Sequence, residues 1–315
     1  MNTDPTDPVA QSSGGATIVA PLTHFGLIGF SGADARSYLH KQLTSDVDHL
    51  AAEQAQYSAW CSPQGRMLAS FLLFRREADY LALLSNELVE FIEQRLRIYV
   101  LRAQVKIADR SADHRIIGLS GPRAAAVLRD AGLDAPATVM TTAAEGSVIR
   151  LDETRYLVVA GAEAAPRIWR RLSAGAVPAD AAAWQWLDVA AGIPWICAAT
   201  REAFVPQMVS FERIGGLSFS KGCYPGQEIV ARARYLGKVK RHLYRTRADE
   251  PLQAGMPIFS GTPEPCGQIA NAAAAPGGGY DALAVILEDA ADQGGLRAAL
   301  AEDGIALADP VPVGE

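Results

Sequence analysis

The feature that most constrains the fold of this chain is a change in hydrophobic pattern along its 315 residues. Two blocks mix amphipathic helices with short β-prone runs. Beyond Leu243 the helical periodicity fades, while short strands and Gly/Pro turns continue. Chains longer than about 250–300 residues divide into several hydrophobic cores. We therefore predict an α+β protein with two mixed units followed by a C-terminal β-barrel or sandwich.

A predicted helix over residues 32–44 precedes the first mixed block. Ser31–Asp34 has the form of a capping box, and apolar side chains follow it at helical spacing. Turn-like segments at Ser62–Gly65 and Arg75–Asp79 then separate short β-prone runs. The elements predicted for this block are strands Gln56–Cys61, Met67–Phe74, Tyr80–Leu84 and Gln104–Ile107 and a helix over Leu88–Val100.

The mixed pattern restarts after residue 110. A predicted strand over Arg115–Leu119 precedes a helix that begins at Pro122, a residue suited to the first helical turn, and closes near Gly132. The remaining predictions are strands at Ser147–Leu151 and Arg155–Ala160, helices at Ala164–Leu172 and Ala183–Ala191, and C-terminal strands at Met256–Ser260, Gly267–Asn271 and Tyr280–Leu287.

Composition limits the classes of protein to which the chain can belong. The net charge of −6 argues against a general nucleic-acid coat, and no apolar run reaches the roughly 18 residues that a membrane span needs. Residues 1–16 read as a flexible tail without a secretion signal. The four cysteines are scattered and have no metal-ligand spacing, which predicts neither disulfides nor a metal site. We expect a soluble cytoplasmic protein with reduced thiols.

Cys223 is the strongest candidate for chemistry. Lys221 lies two residues before it, and a nearby cation favours the thiolate, which is the reactive form of cysteine. Gly222 and Gly226 allow tight turns or close approach of a ligand, and a helix is predicted over residues 226–236. The other residues singled out in this segment are Tyr224, Gln227 and Glu228. The alternative is a buried cysteine in a glycine-rich turn, which is the commoner environment of an isolated cysteine.

A run of basic residues without an acidic one follows the Cys223 segment. This basic strip could attract a carboxylate, a phosphate or RNA, although a charge run is also common on an ordinary solvated face. Its members are Arg232, Arg234, Lys238, Lys240, Arg241, His242, Arg245 and Arg247.

The remaining residues are weaker candidates for a functional role. Trp195, beside Gly192-Ile193-Pro194, is the one tryptophan considered for stacking on a flat ligand. The other cysteines are expected to pack in cores, and no spacing for a stable iron–sulfur cluster appears. Dinucleotide, nucleoside-triphosphate and serine-hydrolase motifs are missing from the sequence.

The Cys223 segment closely resembles the signature of the YgfZ-type folate-binding proteins. The resemblance covers roughly residues 22–290. The stretches that carry it are Gly215–Arg232, Phe204–Gln207, Ala191–Pro194, Gly32–Ala35 and Leu43–Val47.

That family is related to the aminomethyltransferase of the glycine cleavage system. The relationship implies a three-domain α+β architecture around a central opening that takes tetrahydrofolate. The implied domains are residues 17–50 with 111–240, an insert over 51–110, and a C-terminal β-barrel over 241–315. The resemblance also implies a role in the assembly or repair of iron–sulfur proteins, including enzymes that modify tRNA.

The sequence departs from the aminomethyltransferase pattern at acidic positions. Ala69 and Ser70 stand where that enzyme's paired aspartates are expected, and Ala190 stands where it carries a pterin-binding glutamate. Loss of general acid–base help costs roughly 10²–10⁴-fold in rate. We therefore do not expect aminomethyl transfer, and whether the protein is an enzyme stays open.

Three functional hypotheses follow. The leading one is a folate-binding accessory protein for iron–sulfur client proteins, in which Cys223 acts, Lys221 tunes the thiol, and Gln227 and Glu228 orient the turn or the ligand. In the same hypothesis Arg232 attracts the folate tail or an acidic client. The second is a folate-dependent one-carbon transferase. The third is an RNA- or protein-docking module that uses the basic strip without chemistry at Cys223.

Overall fold

The structure of the protein, a computed structural model, describes residues 15–235, 239–298 and 304–314. All but the last two residues of the predicted tail, 1–16, lie outside these ranges. The helices are α1 Ala35–Gln42, α2 Val89–Ile98, α3 Ala124–Asp130, α4 Ala165–Ser173, α5 Ala181–Ala190, α6 Gln227–Tyr235 and α7 Glu288–Gln293, with short 3₁₀ turns at Asn86–Leu88, Ala198–Thr200 and Pro206–Val209.

The strands are numbered in chain order. They are β1 Ile18–Pro21, β2 Phe25–Ser31, β3 Ala55–Cys61, β4 Met67–Arg76, β5 Asp79–Ser85, β6 Lys106–Asp109, β7 His114–Ser120, β8 Met140–Ala143, β9 Gly146–Arg150, β10 Arg155–Gly161, β11 Val177–Pro178, β12 Arg241–Ala248, β13 Pro257–Phe259, β14 Gly267–Ala274, β15 Tyr280–Leu287, β16 Arg297–Ala298, β17 Ile305–Ala306 and β18 Val311–Pro312.

The chain divides into two compact units. Of the described residues, the first contains those up to Tyr38, His49–Gln56 and Leu72–Trp184, and the second contains Leu39–Asp48, Tyr57–Phe71 and those from Gln185 onward. The predicted three-domain boundaries at 17–50 with 111–240, 51–110 and 241–315 stay a prediction.

A six-stranded sheet with the order β11-β1-β7-β10-β9-β8 forms the main layer of the first unit. Its centre is the antiparallel pair β7–β10, and β10 is buried from Arg155 to Ala160. Helices α3 and α4 place Leu128, Ile168 and Leu172 in the core against this sheet. The amphipathic stripes of the two helices therefore cover the sheet with a shared core.

A second sheet has the order β3-β4-β5-β2-β6. Its strands β5, β2 and β6 belong to the first unit, where β2 pairs antiparallel with both of the others. Strands β1 and β2 follow directly on the tail in sequence and were not predicted. The predicted capping box is wrong, because the Asp34 carboxylate accepts a hydrogen bond from the Gln104 amide at 2.8 Å rather than capping α1. Gly32 adopts a φ of +108° and α1 starts only at Ala35.

The second unit contains a curled seven-stranded half-barrel sheet with the order β17-β16-β13-β14-β15-β12-β18. Its long strands β12, β15 and β14 are antiparallel neighbours, and the register of β14 against β15 shifts between Ile269 and Asn271. One face is closed by a core that includes Ile258, Leu296 and Ile286. The predicted α+β class and the β-rich C-terminus are confirmed.

Among the described residues, none of the helices has the length and apolar character required to cross a bilayer.

Candidate functional site

The loop that carries Cys223 rests on a small core of its own within the second unit. Leu217, Tyr224 and Val230 are buried together, with Phe219 packed beside them. Buried apolar residues therefore anchor the chain on both sides of Lys221-Gly222-Cys223. Gly222 and Cys223 themselves are exposed.

Lys221 fastens this loop to the end of α1 and the turn that follows. Its ammonium donates hydrogen bonds to the carbonyl oxygens of His40, of Leu43 at 2.6 Å and of Ser45 at 3.0 Å. An ammonium has three N–H donors, and all three are used. The last carbonyls of a helix lack partners within it, so a cation at this end is favoured. Lys221 therefore acts as the C-terminal cap of α1.

Burial has an electrostatic consequence for Lys221. Desolvation lowers the pKa of its side chain to about 8, and Asp46 and Asp48 oppose the shift. The ammonium also lies 5.3 Å from the centroid of the Tyr224 ring, a favourable cation–π distance. The charged form therefore prevails at neutral pH.

Two glycines bring the Cys223 loop against a neighbouring turn. Gly226 has a φ of +80°, and a Cβ at this position would stand 2.5 Å from the Ser62 carbonyl oxygen and 2.7 Å from Gly65 Cα. Gly65 itself has a φ of +71° and closes the predicted Ser62–Gly65 turn, in which its amide donates to Ser62 at 2.9 Å. Glycine is required at residue 226 because backbone packs directly on backbone there.

Cys223 differs from the other three cysteines in its exposure. Cys61 and Cys266 are buried and Cys197 is half-buried, whereas Cys223 is exposed. Burial raises the pKa of the Cys61 thiol to about 12, which keeps it protonated. Cys223 is thus the exposed cysteine among the four. That it acts, and that Lys221 tunes it, stays a prediction.

The helix predicted over residues 226–236 is present as α6. Gln227 opens it, and its amide donates to the Tyr224 carbonyl at 3.2 Å. Glu228 and Arg232 are exposed and form an i,i+4 ion pair at 3.7 Å, which solvent screens to a small contribution. Both side chains are open to solvent, and their predicted roles toward a ligand stay predictions.

Trp195 is held at each of its polar backbone and side-chain atoms. Its Nε1–H donates to Asp188 Oδ2 at 3.1 Å, and its backbone N–H and C=O both bond the Asn271 amide group, at 3.0 and 2.9 Å. The Tyr57 ring stands edge-on to it with centroids 6.1 Å apart. The half-buried indole is therefore rigidly oriented, as an aromatic platform for a ligand needs to be.

The residues at the three positions where the aminomethyltransferase pattern expects acids are buried or make structural hydrogen bonds in this protein. Ala69 is fully buried, and the Ser70 hydroxyl accepts the Ile196 amide at 2.9 Å. The Ala190 carbonyl accepts from Arg245 at 3.0 Å. No acid–base group is therefore supplied by residues 69, 70 and 190.

The basic strip is partly committed to structural contacts. Arg247 bonds Asp281 at 3.4 Å and the Gly278 carbonyl, and Arg245 helps to close the end of α5. Arg213, outside the strip, donates to Gly192 O at 2.6 Å, and burial together with Arg245 lowers its pKa. The strip members Lys238 and the side chain of Arg234 lie outside the described residues.

Several residues of the second unit were not singled out from sequence. His40, Asp46 and Asp48 form a group beside the Cys223 loop, and Asp188 with Asn271 orients Trp195. Asp46 lies in the Leu43–Val47 stretch already noted for its resemblance. That stretch was the available signal.

The sequence is similar to a family model and to curated relatives. The family model described as the GCVT N-terminal domain matches residues 16–140. The chain is 35% identical over 246 residues to the tRNA-modifying protein YgfZ of Yersinia pseudotuberculosis serotype IB (strain PB1/+), covering 75% of this chain and 72% of the relative. It is 37% identical over 229 residues to the tRNA-modifying protein YgfZ of Edwardsiella ictaluri (strain 93-146), covering 70% and 68%.

Among solved structures, the chain is similar to the glycine cleavage system aminomethyltransferase T from Bartonella henselae. The TM-score is 0.72 at 18% identity, and the match covers 99% of this chain and 90% of that one. At this identity the likeness shows a shared fold.

Proposed function

Because the chain belongs to the family of the tRNA-modifying protein YgfZ, we propose that it is a folate-binding accessory protein for the assembly or repair of iron–sulfur proteins. The clients include enzymes that modify tRNA, and Cys223 carries the chemistry. The protein acts in the cytoplasm with tetrahydrofolate or a derivative as its ligand.

One observation supports the role of Cys223 above the others. The thiol is exposed on a loop whose backbone is anchored two residues earlier by the three hydrogen bonds of Lys221. A functional group held on a rigid support and open to solvent fits a role in which it meets a protein client or a small reactant. A cysteine kept for packing would be buried, as Cys61 is.

Trp195 supports the folate part of the proposal. A pterin is a flat heterocycle, and an indole fixed by Asp188 and Asn271 can stack on it without first losing side-chain freedom. The exposed Arg232 is suited to the glutamate tail of folate or to an acidic client.

The second candidate function is a one-carbon transferase, and one buried acidic residue favours it. Asp188 is a buried carboxylate two residues before Ala190, although its Oδ2 is engaged by Trp195. Turnover of methylene-tetrahydrofolate by the purified protein, lost in Asp188→Asn, would favour this function. No turnover with any amine acceptor would exclude it.

The proposal is tested by complementation. A bacterial strain lacking its own YgfZ-family protein receives the wild-type chain, Cys223→Ala, or Cys197→Ala as the matched control, and the activities of several iron–sulfur enzymes are measured with protein levels checked. We expect wild type and Cys197→Ala to restore activity and Cys223→Ala to fail at equal abundance. Full restoration by Cys223→Ala would overturn the role of the thiol.

Folate binding needs its own measurement. Titration with tetrahydrofolate, followed by tryptophan fluorescence under anaerobic conditions, should show saturable binding. Loss of a stacked aromatic costs about 0.5–1.5 kcal/mol, so Trp195→Leu should weaken binding roughly 2–12-fold, while Trp169→Leu in the first unit should not. Absence of binding to the wild type would contradict the folate part of the proposal.

A further inference from the structure

A histidine outside the Cys223 motif lies beside it in the second unit. His40 is in the last turn of α1, and its Nε2 is 3.8 Å from the position that a Cβ would take on Gly222. Cys223 is the residue that follows Gly222 in the chain. The imidazole therefore lies beside the glycine that precedes the exposed Cys223.

The other ring nitrogen of His40 faces two carboxylates. Nδ1 is 3.4 Å from Asp46 Oδ1 and 3.5 Å from Asp48 Oδ2, and the side chain of His40 is only 15% exposed. The Asp48 amide also approaches Nδ1, at 3.3 Å. That amide favours the neutral ring with hydrogen on Nε2, whereas the two carboxylates favour hydrogen on Nδ1.

Lys221 joins the two halves of this arrangement. Its ammonium binds the carbonyl of His40 itself and those of Leu43 and Ser45, on the segment that leads to Asp46. The residue two before Cys223 is thus tied to the backbone that carries the imidazole. Because the ammonium of Lys221 is already protonated and its three N–H groups are engaged by carbonyls, Lys221 serves as an anchor.

We propose that His40 is the proton acceptor of Cys223, oriented by Asp46 and Asp48. The S–H bond of Cys223 breaks, the electron pair stays on sulfur, and the proton passes to the imidazole, whose second nitrogen faces the carboxylates. The product is a thiolate–imidazolium pair, the arrangement that activates cysteine nucleophiles. The inference rests on the proposed function, since it supplies the reactive form of the thiol assigned there.

The charged neighbours of His40 define what else acts on it. Asp46 and Asp48 face Nδ1, Lys221 is bound at the backbone of His40, and Gly222, the residue before Cys223, lies beside Nε2. Its own helix carries Arg36 one turn earlier and Lys41 next to it. The two carboxylates are thus the charged groups that face the imidazole ring on its Nδ1 side.

The test measures thiol reactivity on the purified full chain. Iodoacetamide forms a thioether with the thiolate and releases iodide, and peptide mass spectrometry follows the modification at Cys223 alone. At pH 7, His40→Gln should slow this reaction by roughly fivefold or more, because less thiolate is present. At pH 10 the two proteins should react within about twofold, since thiols in general need no proton acceptor to ionise at this pH. His49→Gln, the same change at the exposed histidine that follows Asp48 in sequence, should leave both rates unchanged. Asp46→Asn should slow the reaction at pH 7 by a smaller factor.

Either of two results would overturn the proposal. One is an unchanged rate at pH 7 in His40→Gln, and the other is an equal loss at pH 7 and pH 10, which indicates altered access to the thiol. The assay needs neither folate nor a client. If complementation fails as a test of Cys223 while the pH effect is present, the proposed function is wrong and the role of His40 as proton acceptor stands. If complementation depends on Cys223 while the pH effect is absent, the proposed function stands and the role of His40 is wrong.

Discussion

Lys221 shows how a residue suggested by chemistry can serve structure first. Its charge is buried, and it is compensated by three carbonyl oxygens and an aromatic face. Loss of the Lys221 ammonium would leave these buried carbonyl oxygens without a donor, and each buried acceptor without a partner costs about 1–3 kcal/mol. The loop around Cys223 therefore depends on this one side chain.

Replacement of Lys221 by Met should destabilise the protein by about 2–5 kcal/mol, since the carbonyls of His40, Leu43 and Ser45 lose their donor. Lys240→Met, at an exposed lysine, should change stability by less than about 0.5 kcal/mol. Urea unfolding of both variants measures the difference. Equal stability of Lys221→Met and wild type would show that the anchor is dispensable.

His24 in the first unit gives the fold a dependence on acid. Both of its ring nitrogens are buried without a partner among the described residues, and burial lowers its pKa to about 4 from 6.5. Between these values the unfolded chain binds the extra proton, so stability falls as the pH drops from about 6.5 to 4. The loss is up to about 3 kcal/mol.

His24→Leu should flatten this part of the pH–stability curve, because the buried leucine does not titrate. His49→Leu, at an exposed histidine, serves as the control and should keep the wild-type curve. Chemical unfolding from pH 4 to pH 7 checks the prediction, which fails if His24→Leu and wild type lose stability in parallel.

At the scale of elements, the turn before β4 and the start of α6 are built around two facing glycines. A methyl group on Gly226 meets backbone at 2.5 Å as well as a φ of +80°. Gly215 offers a matched comparison, because its φ is +72° while no atom lies within 4 Å of its Cβ position. Comparison of the two sites separates the free-energy cost of the positive φ from the free-energy cost of steric overlap.

Gly215→Ala should cost about 1 kcal/mol from backbone conformation alone. Gly226→Ala should cost at least about 2–4 kcal/mol, because the clash displaces either the turn or the helix that positions Cys223. Thermal unfolding gives the ranking, and a cost at Gly226 no greater than at Gly215 would contradict the packing described.

The local elements of this region were accessible from sequence, whereas their contacts were not. The turn at Ser62–Gly65 and helix α6 follow from glycine, proline and apolar spacing, which are local signals. Lys221 lies about 180 residues from the carbonyls that bind it, and backbone acceptors leave no trace in residue type. The role proposed for His40 could not be predicted from sequence either, because a histidine in an amphipathic helix resembles any other polar residue.

At the scale of the whole molecule, composition and pattern predicted the α+β class and the β-rich C-terminus. The order of the strands within each sheet did not follow from local pattern, because β1, β7 and β10 are neighbours in space and distant in sequence. Membership of the YgfZ family came from the motif around Cys223, and the matching relatives bear it out.

The thiol of Cys223 and the basic strip are two alternative carriers of the function, and substitutions can separate them. In the strand β12, Arg241 and Arg245 share one face, and Arg245 is tied to the end of α5. A docking module would need these charges and not the thiol. The proposed accessory protein needs the thiol above all.

The most direct measurement is the amount of modified nucleosides in tRNA from a strain that lacks its YgfZ-family protein, complemented with wild type, Cys223→Ser, Cys197→Ser or the double charge reversal Arg241→Glu/Arg245→Glu. With all proteins at equal abundance, we expect wild type and Cys197→Ser to restore the modifications and Cys223→Ser to leave them at the level of the empty strain. Restoration by Cys223→Ser together with failure of the charge reversal would contradict the account and assign the function to the basic strip.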